Sequence, residues 1–144
     1  MKGRRLILIL LFWAAGSAAA WGERLAVNAP TANIRSGPGT GHGVLWKVER
    51  YYPLEIVERR GEWYRFRDFE NDQGWIHRDL LAKIDAVITV KAPCNVRSGP
   101  GTDFEIVFQA GAGVPFKVLE RRGEWLQVEH ADGDKGWIAA SLVW

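Results

Sequence analysis

Few side chains in this sequence of 144 residues could do covalent or metal chemistry: one cysteine, Cys94, and three histidines, His42, His77 and His130. A thiol attacks only beside a positioned base that a third group orients, and zinc asks for ligands at short, recurring spacings. The histidines stand 35 and 53 residues apart, with no HxxxH pattern and no paired Cys-His arrangement. No catalytic centre or metal site is therefore read, and no cofactor is expected. Cys94 reads as a small apolar residue ahead of a turn. The glycine-rich run over 36–43 suggests a phosphate cradle, but no Gly-Lys-[Ser/Thr] follows and the run leads into no helix. Its glycines and prolines read as turn residues. What remains is non-covalent recognition by aromatic and basic side chains, and where these sit depends on the elements that carry them.

Those elements are written twice. Asn33-Ile34-Arg35-Ser36-Gly37-Pro38-Gly39-Thr40 returns 62 residues later as Asn95-Val96-Arg97-Ser98-Gly99-Pro100-Gly101-Thr102. Glu58-Arg59-Arg60-Gly61-Glu62-Trp63 returns as Glu120-Arg121-Arg122-Gly123-Glu124-Trp125, and Gly74-Trp75-Ile76 as Gly136-Trp137-Ile138. Ala29-Pro30 matches Ala92-Pro93 only if one residue is dropped, which predicts a length change in the surface loop before Asn33. Apolar residues alternate with period two, the mark of half-buried strands: Leu25 and Val27, with Ile88 and Val90 as their partners; Val44, Trp46 and Val48, with Ile106, Phe108 and Ala110; Tyr64 and Phe66, with Leu126 and Val128. Helix is expected only as a turn around 78–81 and 140–143. The fold class is all-β: two tandem small barrels of about five short strands each, over 21–84 and 85–144, with closure hiding strand edges. The stretch 82–86 is too short for a flexible linker, so the barrels should lie close together.

The ordered combination of Asn-[Ile/Val]-Arg-Ser-Gly-Pro-Gly-Thr, a proline before a β-branched strand, Gly-x-Trp, Gly-Trp-Ile and a final Leu-[Leu/Val] resembles the bacterial SH3-like (SH3b) domain family. Pro53 ahead of Leu54-Glu55-Ile56-Val57, and Trp75-Ile76-His77-Arg78, resemble its proteobacterial envelope subfamily. The resemblance implies SH3-like barrels outside the cytoplasm that bind cell wall or a partner.

Comparing the copies separates scaffold from candidate site. Asn33, Arg35, Gly37, Pro38 and Gly39, with Asn95, Arg97, Gly99, Pro100 and Gly101, are kept in both and read as mainly structural: asparagine bonds its own turn, and arginine ties loop carbonyls or grips a carboxylate. Trp46 and Phe108 read as core. By alternation Trp63 and Trp125 lie opposite the apolar face, where an indole either anchors a ligand or covers a neighbouring loop. Glu49-Arg50-Tyr51-Tyr52 becomes Gly111-Ala112-Gly113-Val114, and His77-Arg78 becomes Ala139-Ala140. A feature present in one copy alone is not required by the shared fold. Arg50, Tyr51, Trp63, His77, Arg78 and Trp125 are therefore the ligand-binding candidates, with the first copy the likelier working surface; Tyr52 reads as packed.

Lys2, Arg4 and Arg5, the apolar stretch 6–15 and Ala18-Ala19-Ala20 have the order of a signal peptide over 1–20, cleaved between Ala20 and Trp21. The stretch is too short for a comfortable span of roughly 20 apolar residues, so cleavage is favoured over a retained anchor, and Sec over the twin-arginine route. Three of the 19 Lys and Arg and none of the 17 Asp and Glu lie there, leaving 16 minus 17, a net charge of −1. That gives no basic surface for nucleic acid. One cysteine permits no intrachain disulfide. The expectation is a periplasmic or secreted, non-enzymatic module that binds peptidoglycan, through its stem peptides, or else an adaptor for an envelope protein. An enzymatic role survives only as a separate-chain targeting subunit.

Overall fold

The computed structural model describes residues 22–144; the signal peptide read over 1–20 and its cleavage point lie outside them. The first copy contributes β1 (Arg24–Val27), β2 (Thr31–Arg35), β3 (Val44–Glu49), β4 (Pro53–Arg60), β5 (Trp63–Arg67), β6 (Gln73–His77) and β7 (Leu81–Ala82), in the sheet order β3-β2-β6-β5-β4-β1-β7. The second contributes β8 (Ala86–Ile88), β9 (Cys94–Arg97), β10 (Ile106–Ala110), β11 (Pro115–Arg122), β12 (Trp125–Glu129) and β13 (Lys135–Ala139), in the order β10-β9-β13-β12-β11-β8. Among the described residues helix is confined to the 3-10 turns Arg78–Leu80 and Ala140–Leu142, where the sequence put it.

The repeated Arg-Arg-Gly-Glu-Trp makes the β4–β5 and β11–β12 hairpins. Arg60 pairs with Trp63 and Arg122 with Trp125 across two-residue turns, with Gly61 and Gly123 at left-handed φ of 62° and 58°. Alternation then sends Leu54, Ile56 and Phe66 inward with Ile34 and Ile76, and Phe116, Val118 and Val128 inward with Val96 and Ile138. Burying each such side chain stabilises by about 1.5–3 kcal/mol.

Three expectations are corrected. The offset is 62 throughout, because Val27 and Thr89 each accept a backbone bond from the equivalent turn, from Tyr51 and Gly113. No length change precedes Asn33; the proline has moved by one position. Val90, read as the partner of Val27, is accordingly 38% exposed, and Thr89 is buried in its stead. The Thr89 hydroxyl donates to the Gly111 carbonyl at 2.7 Å and accepts from the Val114 amide at 2.8 Å, which makes an internal hydroxyl tolerable. Val44 and Ile106 are exposed rather than inward-facing, because β-bulges at Leu45 and Val107 set two residues against one and break the alternation. Trp46 and Phe108 are only half-buried, packed edgewise on Phe66 and against Phe116 respectively, each with centroids 6.3 Å apart.

The barrels share an interface. Ile88 belongs to the first core and Trp144 packs against it. The Arg24 guanidinium lies 4.0 Å over the Trp144 ring and donates to the carbonyls of Ala86 (3.1 Å) and Trp144 (2.7 Å). His130 approaches Glu49 at 3.7 Å on the same seam.

Candidate functional site

A groove of about 320 Å³ on the first barrel gathers Thr31, Asn33, Arg35, Thr40, Trp63 and His77. Its floor follows from pleating: on β2 Ala32 and Ile34 are buried, so Thr31, Asn33 and Arg35 point outward together. Trp63 and His77 are register partners on β5 and β6, and their rings meet edge to face at 5.2 Å. The imidazole is fixed further by accepting the Asp79 amide at Nδ1, 3.1 Å, while Nε2 faces Glu62 at 3.5 Å. Arg35 closes the end of the groove. Its Nη1 donates to the carbonyls of Thr40 (3.2 Å) and His42 (2.9 Å), tying the glycine-rich loop to the strand, and Arg97 repeats this with Thr102 and Phe104. The two alternatives for this arginine thus resolve towards the loop.

The groove presents a rigid aromatic wall, an imidazole, two hydroxyls and a carboxamide. Such a surface suits a polar chain with small side groups, held by hydrogen bonds and by apolar contact with the indole. In the second barrel Trp125 pairs with Ala139, so a methyl group stands where the first has an imidazole, and Pro93 replaces Thr31.

The other candidates do not converge on this groove. Tyr51 is half-buried in the β3–β4 turn with φ 73°, where the second copy has Gly113 at 78°. Arg50 donates to Asn28 Oδ1 at 3.2 Å, and Arg78 is exposed, 3.9 Å from Glu62 and from Asp79. Gly37 and Gly99 are packed under the rings of His42 and Phe104, where no side chain fits. Pro38, Gly39, Pro100 and Gly101 complete these loops, and Asn95 accepts from Gln109 at 2.8 Å. Cys94 is buried with Sγ donating to the Lys91 carbonyl at 2.7 Å, and burial pushes its thiol up. Both observations disfavour a nucleophile.

Sequence reasoning missed a larger groove, about 590 Å³, at the seam between the barrels. Trp46, Tyr52 and Phe69 give it aromatic walls, Glu49, Glu70 and Asp72 an acidic rim, and Gly113 of the second barrel part of its lining. Asp68 organises it from within: 4% exposed, it accepts from Tyr52 Oη (2.6 Å) and from the amides of Glu70 (3.0 Å) and Asp72 (2.9 Å). The signal was present in the divergence of the copies, since Asp68-Phe69 becomes His130-Ala131.

Two small antiparallel β-domains of seven and six strands, the first carrying two aromatic-walled grooves, define the chain as a tandem of SH3-like β-domains. The chain belongs to the bacterial SH3 domain family, whose model matches it twice, at residues 28–83 and 90–144. It is 25% identical over 122 residues to the putative N-acetylmuramoyl-L-alanine amidase YrvJ of Bacillus subtilis, covering 77% of this chain and 23% of that protein. To the probable cell wall amidase LytH of Staphylococcus epidermidis it is 34% identical over 53 residues, 36% of this chain and 18% of LytH. The chain thus spans less than a quarter of these curated relatives. Among solved structures, NlpC2 from Trichomonas vaginalis aligns with 86% of this chain and 48% of its own at 14% identity and a TM-score of 0.38. Among the described residues no helix is long and apolar enough to cross a membrane.

Proposed function

We propose that this protein is an exported, non-enzymatic module that binds peptidoglycan through its stem peptides, using the Trp63–His77 groove of the first barrel. The observation that carries the reading is the groove itself: the aromatic pair on two paired strands is completed by motif-loop residues, and the second copy lacks its imidazole. Relatives named as wall amidases match this chain along its SH3 domains, which supports the wall as the source of ligand. A buried thiol bonded to a carbonyl supports binding without catalysis. The test is co-sedimentation of the protein with purified sacculi. Recovery in the pellet, reduced by Trp63→Ala, is expected; full recovery in the supernatant at low and moderate salt overturns the proposal.

A protein partner is the second reading, and one feature favours it. β3 and β10 end their sheets and expose Val44 (45%), Leu45 (53%), Ile106 (47%) and Val107 (48%). Exposed apolar edge strands suit strand addition by another chain. This reading predicts one specific crosslinked protein and indifference to sacculi.

A further inference from the structure

The Trp63–His77 groove leaves the larger seam groove without a role. We propose that the seam groove holds the free side-chain ammonium of a wall peptide, a primary amine on a short aliphatic stem. The inference rests on the wall reading and names a chemical group that reading does not use.

Three features select this occupant. Trp46, Tyr52 and Phe69 give the groove aromatic walls against which a methylene stem can pack, and aromatic rings attract a cation. The rim carries Glu49, Glu70 and Asp72 against a single lysine, Lys47, so its charge is complementary to an amine. Elsewhere on this barrel carboxylates are matched with arginines: Glu23 with Arg59, Glu55 with Arg67, Glu58 with Arg65. Among the described residues Glu70 and Asp72 are in no such pair, which leaves both free to meet a cation. Asp68 is already occupied by three hydrogen bonds and shapes the groove without receiving the ligand.

The second copy keeps carboxylates at the positions of Glu70 and Asp72, as Asp132 and Asp134, but does not build the walls. It has Phe108, Gln109, Gly111, Val114 and Ala131 in place of Trp46, Lys47, Glu49, Tyr52 and Phe69, so the aromatic walls, not the acidic rim alone, distinguish the first barrel's groove. Its contribution is instead to close the first barrel's groove: a Cβ on Gly113 would lie 3.9 Å from Phe69 Cζ, so the bare glycine borders the groove without filling it. Thr31 lines both grooves, so they adjoin, and a peptide lying along Trp63 can place a side chain at the seam.

The experiment is chemical-shift titration of residues 21–144, both barrels together, with a muropeptide carrying a free side-chain amine and with the same muropeptide N-acetylated there. Glu70→Gln/Asp72→Asn and Trp63→Ala are titrated alongside, with folding of each checked by near-ultraviolet circular dichroism. Acetylation and the double substitution are each expected to weaken binding about fivefold or more, with shifts at the Trp46 indole N–H that the free amine alone produces. Equal affinity for both muropeptides, with Trp63→Ala still impairing binding, overturns the ammonium site and leaves the wall reading standing. No shift with either muropeptide or with Nα-acetyl-lysine methylamide overturns both. A shift at Trp46 with Nα-acetyl-lysine methylamide but with neither muropeptide keeps the ammonium chemistry and overturns the wall as its source.

Discussion

Tyr52 and Asp68 make the seam groove depend on a single hydroxyl. Burial, then the hydrogen bond to Asp68, push the Tyr52 phenol well above its ordinary range. The sign follows from linkage: an acid whose folded pKa is raised keeps its contribution below the unfolded value and loses it as pH rises. Urea titrations should therefore show stability falling above about pH 10, the ordinary tyrosine value, and Tyr52→Phe should flatten that fall. At neutral pH Tyr52→Phe removes one of three bonds to a buried carboxylate and should cost about 1–3 kcal/mol, read from the urea midpoint. Trp63 and Trp125 test the groove itself. Trp63→Ala is expected to weaken muropeptide binding about tenfold, a loss of roughly 1.4 kcal/mol, whereas Trp125→Ala, beside Ala139, should leave it nearly unchanged; isothermal titration checks both. Alternation places Trp63 opposite Tyr64 and Phe66, and the divergence of the copies singles out His77, but that the two are register partners was not legible, because alternation gives a face and not a pairing. Tyr51 stands out by the same comparison: it holds φ 73° where the second copy has Gly113 at 78°, so the shared turn itself does not require a tyrosine.

At the level of elements, period-two patterning found the inner faces of β5 and β12 and failed where the ladder is irregular. A bulge adds one residue to one strand, so every position beyond it changes face; Val44 and Ile106 carry that consequence into solvent. The same patterning misplaced β8 by one residue because a displaced proline imitated a deletion. Close strand crossing is a separate demand. A Cβ on Gly136 would fall 2.5 Å from Val96 Cγ1 and 2.9 Å from the Arg97 carbonyl, and backbone cannot yield as a side chain can. Gly136→Ala should therefore separate β13 from β9 and cost about 1–3 kcal/mol in denaturant titration. Gly113→Ala meets no such crowding, its Cβ lying 3.9 Å from Phe69 Cζ, and its expected cost of about 1–2 kcal/mol comes from φ 78° alone.

The whole molecule is where the sequence was least informative. A short connection predicted adjacent barrels, but which faces meet depends on Arg24, Ile88 and Trp144, which are far apart in the chain and share no motif. Trp46, Phe69 and Asp72 all belong to the first barrel, but the wall that Gly113 adds to their groove could not be placed before that meeting was known. The joint is testable. Arg24→Ala removes a guanidinium stacked on Trp144 and bonded to two carbonyls of the second barrel, and calorimetry should then resolve two unfolding transitions where the intact protein shows one.

Ile88 and Trp144 also bear on when the protein can fold. Any process that delivers the chain N-terminus first releases every strand of the first barrel before the residues that complete its core, and Trp144 emerges 120 positions after Arg24. Until then the first barrel has an open flank and Arg24 lacks the carbonyl it caps. A leading half made alone would therefore leave this flank of its core uncovered, and the trailing half acts as its lid as well as its neighbour.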